Sequence, residues 1–204
     1  MSYSAIVKSG AKLAVVPAAL ALLAAPALAH TGVDAHAGFA SGIGHPFGGL
    51  DHLLAMVAVG LWAIQLNQNG SRHALWLLPL SFVAPMALGF LSGHAGLPLP
   101  GVELGIALSV LALGLVVAFA ARPPLAVATV FAAVAAIFHG HAHGAEMPAD
   151  GIAAAYAGGM VLATALLHGA GIAAARLAQR VSLPVLTRAA GAAVAVCGVV
   201  ILVA

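Results

Sequence analysis

Residues 125–146 read LAVATVFAAVAAIFHGHAHGAE. No Asp, Glu, Lys or Arg occurs before Glu146 in this stretch, and a bilayer-crossing helix needs about 20 mostly apolar residues. The segment therefore predicts a transmembrane helix whose last turns carry an imidazole cluster. Five similar stretches flank it, giving six spans after residue 40, at roughly 46–66, 74–92, 103–121, 125–145, 152–175 and 184–204. Pro46, after Gly44-His45, reads as the first residue of a helix. Arg122-Pro123-Pro124 and Ser182-Leu183-Pro184 mark later boundaries. Pro79 and Pro85 fall inside span two, where a membrane helix tolerates kinks.

Composition agrees. Of 204 residues, 63% are hydrophobic and 6% charged, against about 25% charged in a soluble domain. So few charges cannot solvate a globular surface, which excludes a water-soluble enzyme, a coiled coil and a disordered tail. The expected fold is an all-α polytopic membrane protein, a bundle of six transmembrane helices with the lipid bilayer as its surroundings. Seven basic residues form no patch, so no nucleic-acid partner is expected. A single cysteine, Cys197, excludes an intrachain disulfide and a cysteine-based zinc knuckle. Residues 1–29 read as a cleavable signal peptide: Lys8 and Lys12, then an apolar run from Leu13 to Ala25, then Ala27-Leu28-Ala29. The alternative is an uncleaved first span. Cleavage leaves 30–204 as one domain whose new N-terminus, His30 with Asp34 and His36, is either a loose cation holder or a polar leader.

With that start outside the cell, Arg72, Arg122, Arg176, Arg180 and Arg188 all fall on the cytoplasmic side, as the positive-inside rule requires, and both mature termini lie outside. The acids Asp34, Asp51, Glu103, Glu146 and Asp150 fall at or near the outer side, where they concentrate cations. Spans one to three and four to six have opposite orientation, so an inverted repeat is topologically open, although the halves share no visible sequence similarity.

The chemistry lies in two places. Span one opens His45-Pro46-Phe47-Gly48-Gly49-Leu50-Asp51-His52, with Met56 a turn later. On a continuous helix His45 and His52 stand about 20° apart in azimuth and about 10 Å apart along the axis, with Asp51 pointing about 100° away. An aspartate at mid-membrane costs about 2.5–3.5 kcal/mol, so such residues face the bundle interior or a wet path. In span four His139, His143 and Glu146 share one face at i, i+4, i+7, while His141 points about 200° from His139. Antiparallel packing of the two spans brings His52 level with His139 and His143, and His45 level with Glu146. The result is a donor set of imidazoles and carboxylates without thiolate, suited to zinc, copper, iron or nickel and to harder divalent ions. Glu103, at the start of span three, is either a mouth residue or a further contact. His168, one turn after Thr164, is either a relay or a packing residue. His73 reads as interfacial, and Met56 and Cys197 as packing.

The run His45-x5-Asp51-His52 and the run Phe138-His139-Gly140-x-Ala142-His143-Gly144-x-Glu146 resemble the two motifs of the HupE/UreJ family of bacterial nickel permeases, and the resemblance covers the whole mature chain. It implies uptake of Ni2+, with Co2+ as a second cargo, across the bacterial cytoplasmic membrane, and an indirect link to the proteins that mature hydrogenase or urease. The family positions matched are His45, Asp51, His52, His143 and Glu146, with His139 in the same motif and Glu103 as the acid of span three. No resident cofactor is implied, since the metal is cargo; a homo-oligomer is left open. The rival from another class is a membrane-embedded metalloenzyme, because His-x3-His also occurs at intramembrane metal sites. A third reading, haem held between His52 and His139, would colour the protein.

Overall fold

The computed structural model describes residues 38–68, 70–148 and 151–204. The expected signal peptide, with His30, Asp34, His36 and Asp150, lies outside the described residues. Within them the chain is helical throughout: α1 (Phe39–Gly48), α2 (Leu50–Gln68), α3 (Ala74–His94), α4 (Val102–Ala118), α5 (Leu125–Ala145), α6 (Ala153–Arg180) and α7 (Val185–Val203). Five of these, α2, α3, α5, α6 and α7, are long and apolar enough to cross a bilayer; α4 is equally apolar but has 17 residues. The fold is an all-helical, multi-pass membrane architecture.

Span one departs from expectation. Pro46 does not start a helix: it lies inside α1, which begins seven residues earlier at Phe39. The span is instead broken at Gly49, whose backbone is extended (φ −106°, ψ 118°). Pro46 has no N–H to give to the preceding turn, which weakens α1 shortly before the break. The continuous-helix spacing of His45 and His52 therefore does not apply, and their relation is set by tertiary packing.

Two other ends also moved. α4 stops at Ala118 and α6 runs on to Arg180. Each stop is made by a residue in the left-handed region, Ala120 (φ 49°) and Ser182 (φ 57°). The following amides, Ala121 N–H and Leu183 N–H, reach back to the Val116 and Ala178 carbonyls at 2.8 Å. This is the usual way a helix closes its last turn, and the prolines that mark these boundaries in the sequence only follow it. At the end of α4 the remaining carbonyls find side chains of other helices. Gln65 Nε2 donates to the Val117 carbonyl, Arg188 Nε to Ala118 and Trp62 Nε1 to Ala121.

Glycine sets how close the helices come. A Cβ on Gly89 or Gly93 of α3 would run into the Ile137 or His141 carbonyl of α5; one on Gly140 or Gly144 of α5 would run into the Met86 or Phe90 carbonyl of α3. Register advances together on the two helices, so α3 and α5 are parallel and in backbone contact, as small-x3-small pairs allow in lipid. α2 and α6 meet in the same way through Gly60 and Gly171, and α4 and α7 run antiparallel through Gly114 and Gly198. These pairings join span two to four, one to five and three to six. Exchanging the first three spans for the last three leaves that set unchanged, the pattern an inverted arrangement gives.

Outward faces carry leucine and valine, such as Leu88, Leu91, Val130, Val134 and Val196, while the buried set includes Trp62, Phe82, Phe90, Met86 and the polar His139, His143 and His168. Apolar outside and polar inside is the distribution lipid imposes. Gly93→Leu should lower stability by about 1–3 kcal/mol or more, because backbone rather than a yielding side chain stands in the way. Thermal unfolding in detergent measures it, and an unchanged midpoint would mean that α3 and α5 do not need this contact.

Candidate metal-ion site

One end of the bundle collects the C-termini of α3 and α5 and the N-termini of α4 and α6, together with Asp51, Glu103 and Glu146; the arginines lie toward the other end. The site descends from this acidic end. At its mouth, His45 Nε2 donates to Glu146 Oε2 at 3.1 Å, with side chains 26% and 54% exposed. Glu146 follows the last residue of α5, and the His45 hydrogen bond holds its carboxyl below the ordinary 4.5, against the opposing effect of partial burial. Below it the His45 ring meets His143 edge-on (centroids 4.8 Å), His143 meets His52 (4.2 Å) and His52 meets His139 (4.7 Å). His139 and His143 have no exposed surface. The donors thus form a descending column, half open at the top and sealed at the bottom.

Hydrogen bonds fix which nitrogens are free. His52 Nδ1 lies 2.8 Å from Asp51 Oδ1, which also accepts the His52 backbone N–H at 2.8 Å. An ionised carboxylate only accepts, so the neutral ring carries its proton on Nδ1 and its lone pair on Nε2. That Nε2 is buried and has no hydrogen-bond partner. Asp51 therefore reaches the ring next to it in sequence, although their helical azimuths lie far apart. Gly49 makes the room: a Cβ there would stand 2.7 Å from Asp51 Oδ1 and 3.0 Å from His52 Nδ1.

His139 is held in the opposite sense. Ser109 Oγ, on α4, gives its one proton to the Ile106 carbonyl at 2.7 Å and lies 2.9 Å from His139 Nε2. The serine must accept there, so His139 donates from Nε2 and keeps its lone pair on Nδ1, again buried and unbonded. Both ring nitrogens of His143 are also buried without hydrogen-bond partners. Orienting contacts of this kind to carboxylate or hydroxyl are how proteins aim imidazole lone pairs at a metal. Among the described residues no three His, Cys, Asp or Glu side chains are gathered tightly enough to hold one ion as they stand. The donors are spaced along a line.

Of the residues expected from the sequence, His45, Asp51, His52, His139, His143 and Glu146 come together. Glu103 lies exposed in the first turn of α4 and makes no ion pair with them. His141 lies close to a carbonyl outside the site: its Nε2 donates to Leu97 at 2.8 Å and ties the α3–α4 connection to α5. Exposed His73 sits edge-on to Trp76. Sequence reasoning did not find Ser109, Tyr156 or Phe82. Tyr156 stands 5.6 Å from His45 between ring centroids and has a buried, unbonded hydroxyl, and Phe82 touches His139 from below at 5.8 Å. A serine and two aromatics on apolar helices carry no spacing signal; only the partner they meet distinguishes them.

Ser109→Ala should lower the affinity of the purified protein for Ni2+ by about 10–100-fold, the usual cost of losing an orienting partner, while Ser109→Thr keeps most of it. Equal Ni2+ titrations for all three proteins would refute the orientation assigned to His139.

Comparison with known proteins gives concordant results. The family model described as HupE / UreJ protein matches residues 18–201. Protein HupE of Rhizobium leguminosarum bv. viciae is 46% identical over 185 residues, spanning 90% of this chain and 95% of that one. No solved structure matches.

Proposed function

The chain belongs to the HupE/UreJ family, and on that premise we propose that it is a permease that brings Ni2+, and Co2+ as a second cargo, into the cell. Its place is the bacterial cytoplasmic membrane, with the acidic end outward and the ion passed on to the maturation of a hydrogenase or urease. The observation that carries this reading is the column of imidazoles in ring-to-ring contact from His45 to His139, with buried nitrogens on His143, His52 and His139 that have no hydrogen-bond partners and a top that opens beside Glu146.

Glu146, Asp51 and Glu103 put negative potential at the entrance and draw divalent cations to it. An ion that enters exchanges part of its water for His45 and Glu146, then for His143, His52 and His139. Asp51 and Ser109 hold two of these rings and leave each one nitrogen free to ligate. Neutral imidazole suits nickel and cobalt and replaces lost hydration without the grip of a thiolate. Transit requires a site that accepts the ion and then lets it go. Resident chemistry on a substrate has no part in this cycle, which makes the protein a transporter and not an enzyme.

His52→Ala should abolish uptake of radiolabelled Ni2+ by cells at low external nickel, since it removes the donor that touches both His139 and His143. Undiminished uptake by a normally expressed variant would overturn the assignment. Acidification should also reduce uptake, because a protonated imidazole cannot ligate. Glu146 is held below its ordinary value and stays ionised at about pH 5.5, so it is not the group that responds. Glu146→Gln should accordingly take up less Ni2+ at neutral pH yet keep the acid inhibition; an inhibition that vanishes in this variant would assign the proton to the carboxylate.

A further inference from the structure

We propose that His168 forms a second, inner station for the same divalent ion, reached from the imidazole column past the ring of Phe82. This rests on the permease reading and extends it toward the cytoplasm.

His168 lies in the middle of α6, twelve residues beyond Tyr156, or about 18 Å further from the mouth along the helix. It is 1% exposed, and neither ring nitrogen has a hydrogen-bond partner. An imidazole buried in this way costs stability, because its polar atoms leave water and gain nothing in return. A leucine would fill the space without that cost. Among the described residues the ring it meets is Phe82, edge-on at 5.4 Å with planes 89° apart. Contact with an aromatic ring is worth only a fraction of a normal hydrogen bond, so it does not offset that cost.

Position gives the nitrogens a use. Phe82 touches His139 at 5.8 Å and His168 at 5.4 Å, so one apolar ring separates the bottom of the outer column from the inner imidazole. From Glu146 through His45, His143, His52, His139 and Phe82 to His168, the contacts form one unbroken line down the bundle. One turn nearer the mouth, on the same two helices as His168 and Phe82, stand two further donors. Thr164, one turn before His168, gives its hydroxyl proton to the thioether of Met86, one turn after Phe82, at 3.6 Å. The threonine oxygen keeps its lone pairs, and the thioether is a soft ligand. An imidazole with a hydroxyl and a thioether one turn above it suits a borderline divalent ion that has already shed water in the outer column. The backbone of His168 is also fixed: its carbonyl lies against Gly60 of α2, where a Cβ would collide with it.

The test compares His168→Leu with His168→Met in the full chain, two side chains of similar volume of which only methionine keeps a donor atom. Labelled Ni2+ uptake by cells should fall about tenfold or more in the leucine variant and stay within about threefold of wild type in the methionine variant. The purified leucine variant should bind Ni2+ at the outer column with wild-type affinity and melt no lower than wild type. Three results would overturn the inner station: wild-type uptake by His168→Leu, equal loss in both variants, or a lower melting temperature for His168→Leu. Absence of uptake by the wild-type chain itself would overturn the permease reading, and with it this inference. That outcome is distinguishable because no substitution is involved.

Discussion

An imidazole inside an apolar helical bundle must either find a hydrogen-bond partner or be held for a ligand, and the interior of this protein is arranged around that constraint. His52 spends one nitrogen on Asp51 and His139 one on Ser109, and each is left with a lone pair directed into the bundle. Because Asp51 only accepts and Ser109 has already used its proton, these two contacts leave a single proton arrangement for each neutral ring. What would otherwise be interchangeable polar atoms become oriented donors, and His143, bonded to neither, completes the set between His45 and His52.

Orientation would be of no use if the helices stood at ordinary distances. His139 and His143 alternate along α5 with Gly140 and Gly144, which lie on the backbone of α3. The helix thus presents glycine to one neighbour and imidazole to another, and close approach on one side holds the rings in place on the other. Gly49 has a related duty on a smaller scale. Its missing side chain leaves room for the Asp51–His52 pair, and its extended backbone breaks the first span at the level of the site. Irregular backbone at membrane depth is tolerated where it is buried in protein or lines a cavity.

The helical class, the apolar segments and the two donor-bearing motifs could be read directly, because a long run without charge belongs in lipid and an ionisable side chain within such a run is costly there. Helix ends were less legible. Proline announced them, but Ala120 and Ser182 in the left-handed region made them, and neither residue type signals that conformation. The helical wheel separated His141 correctly from His139 and His143, and the structure gives it the Leu97 carbonyl as partner. The same wheel assumed a continuous helix from His45 to His52, which Gly49 interrupts, although both rings still meet His143.

Composition and periodicity act residue by residue, so the amino-acid order alone reveals the membrane helices and the imidazoles and carboxylates clustered in spans one and four. Packing between helices settles which nitrogens are free, brings Ser109, Tyr156 and Phe82 to the histidines and sets His168 on the same line of contacts. Those facts depend on contacts between helices 30 to 100 residues apart in the chain, where no local rule of spacing reaches.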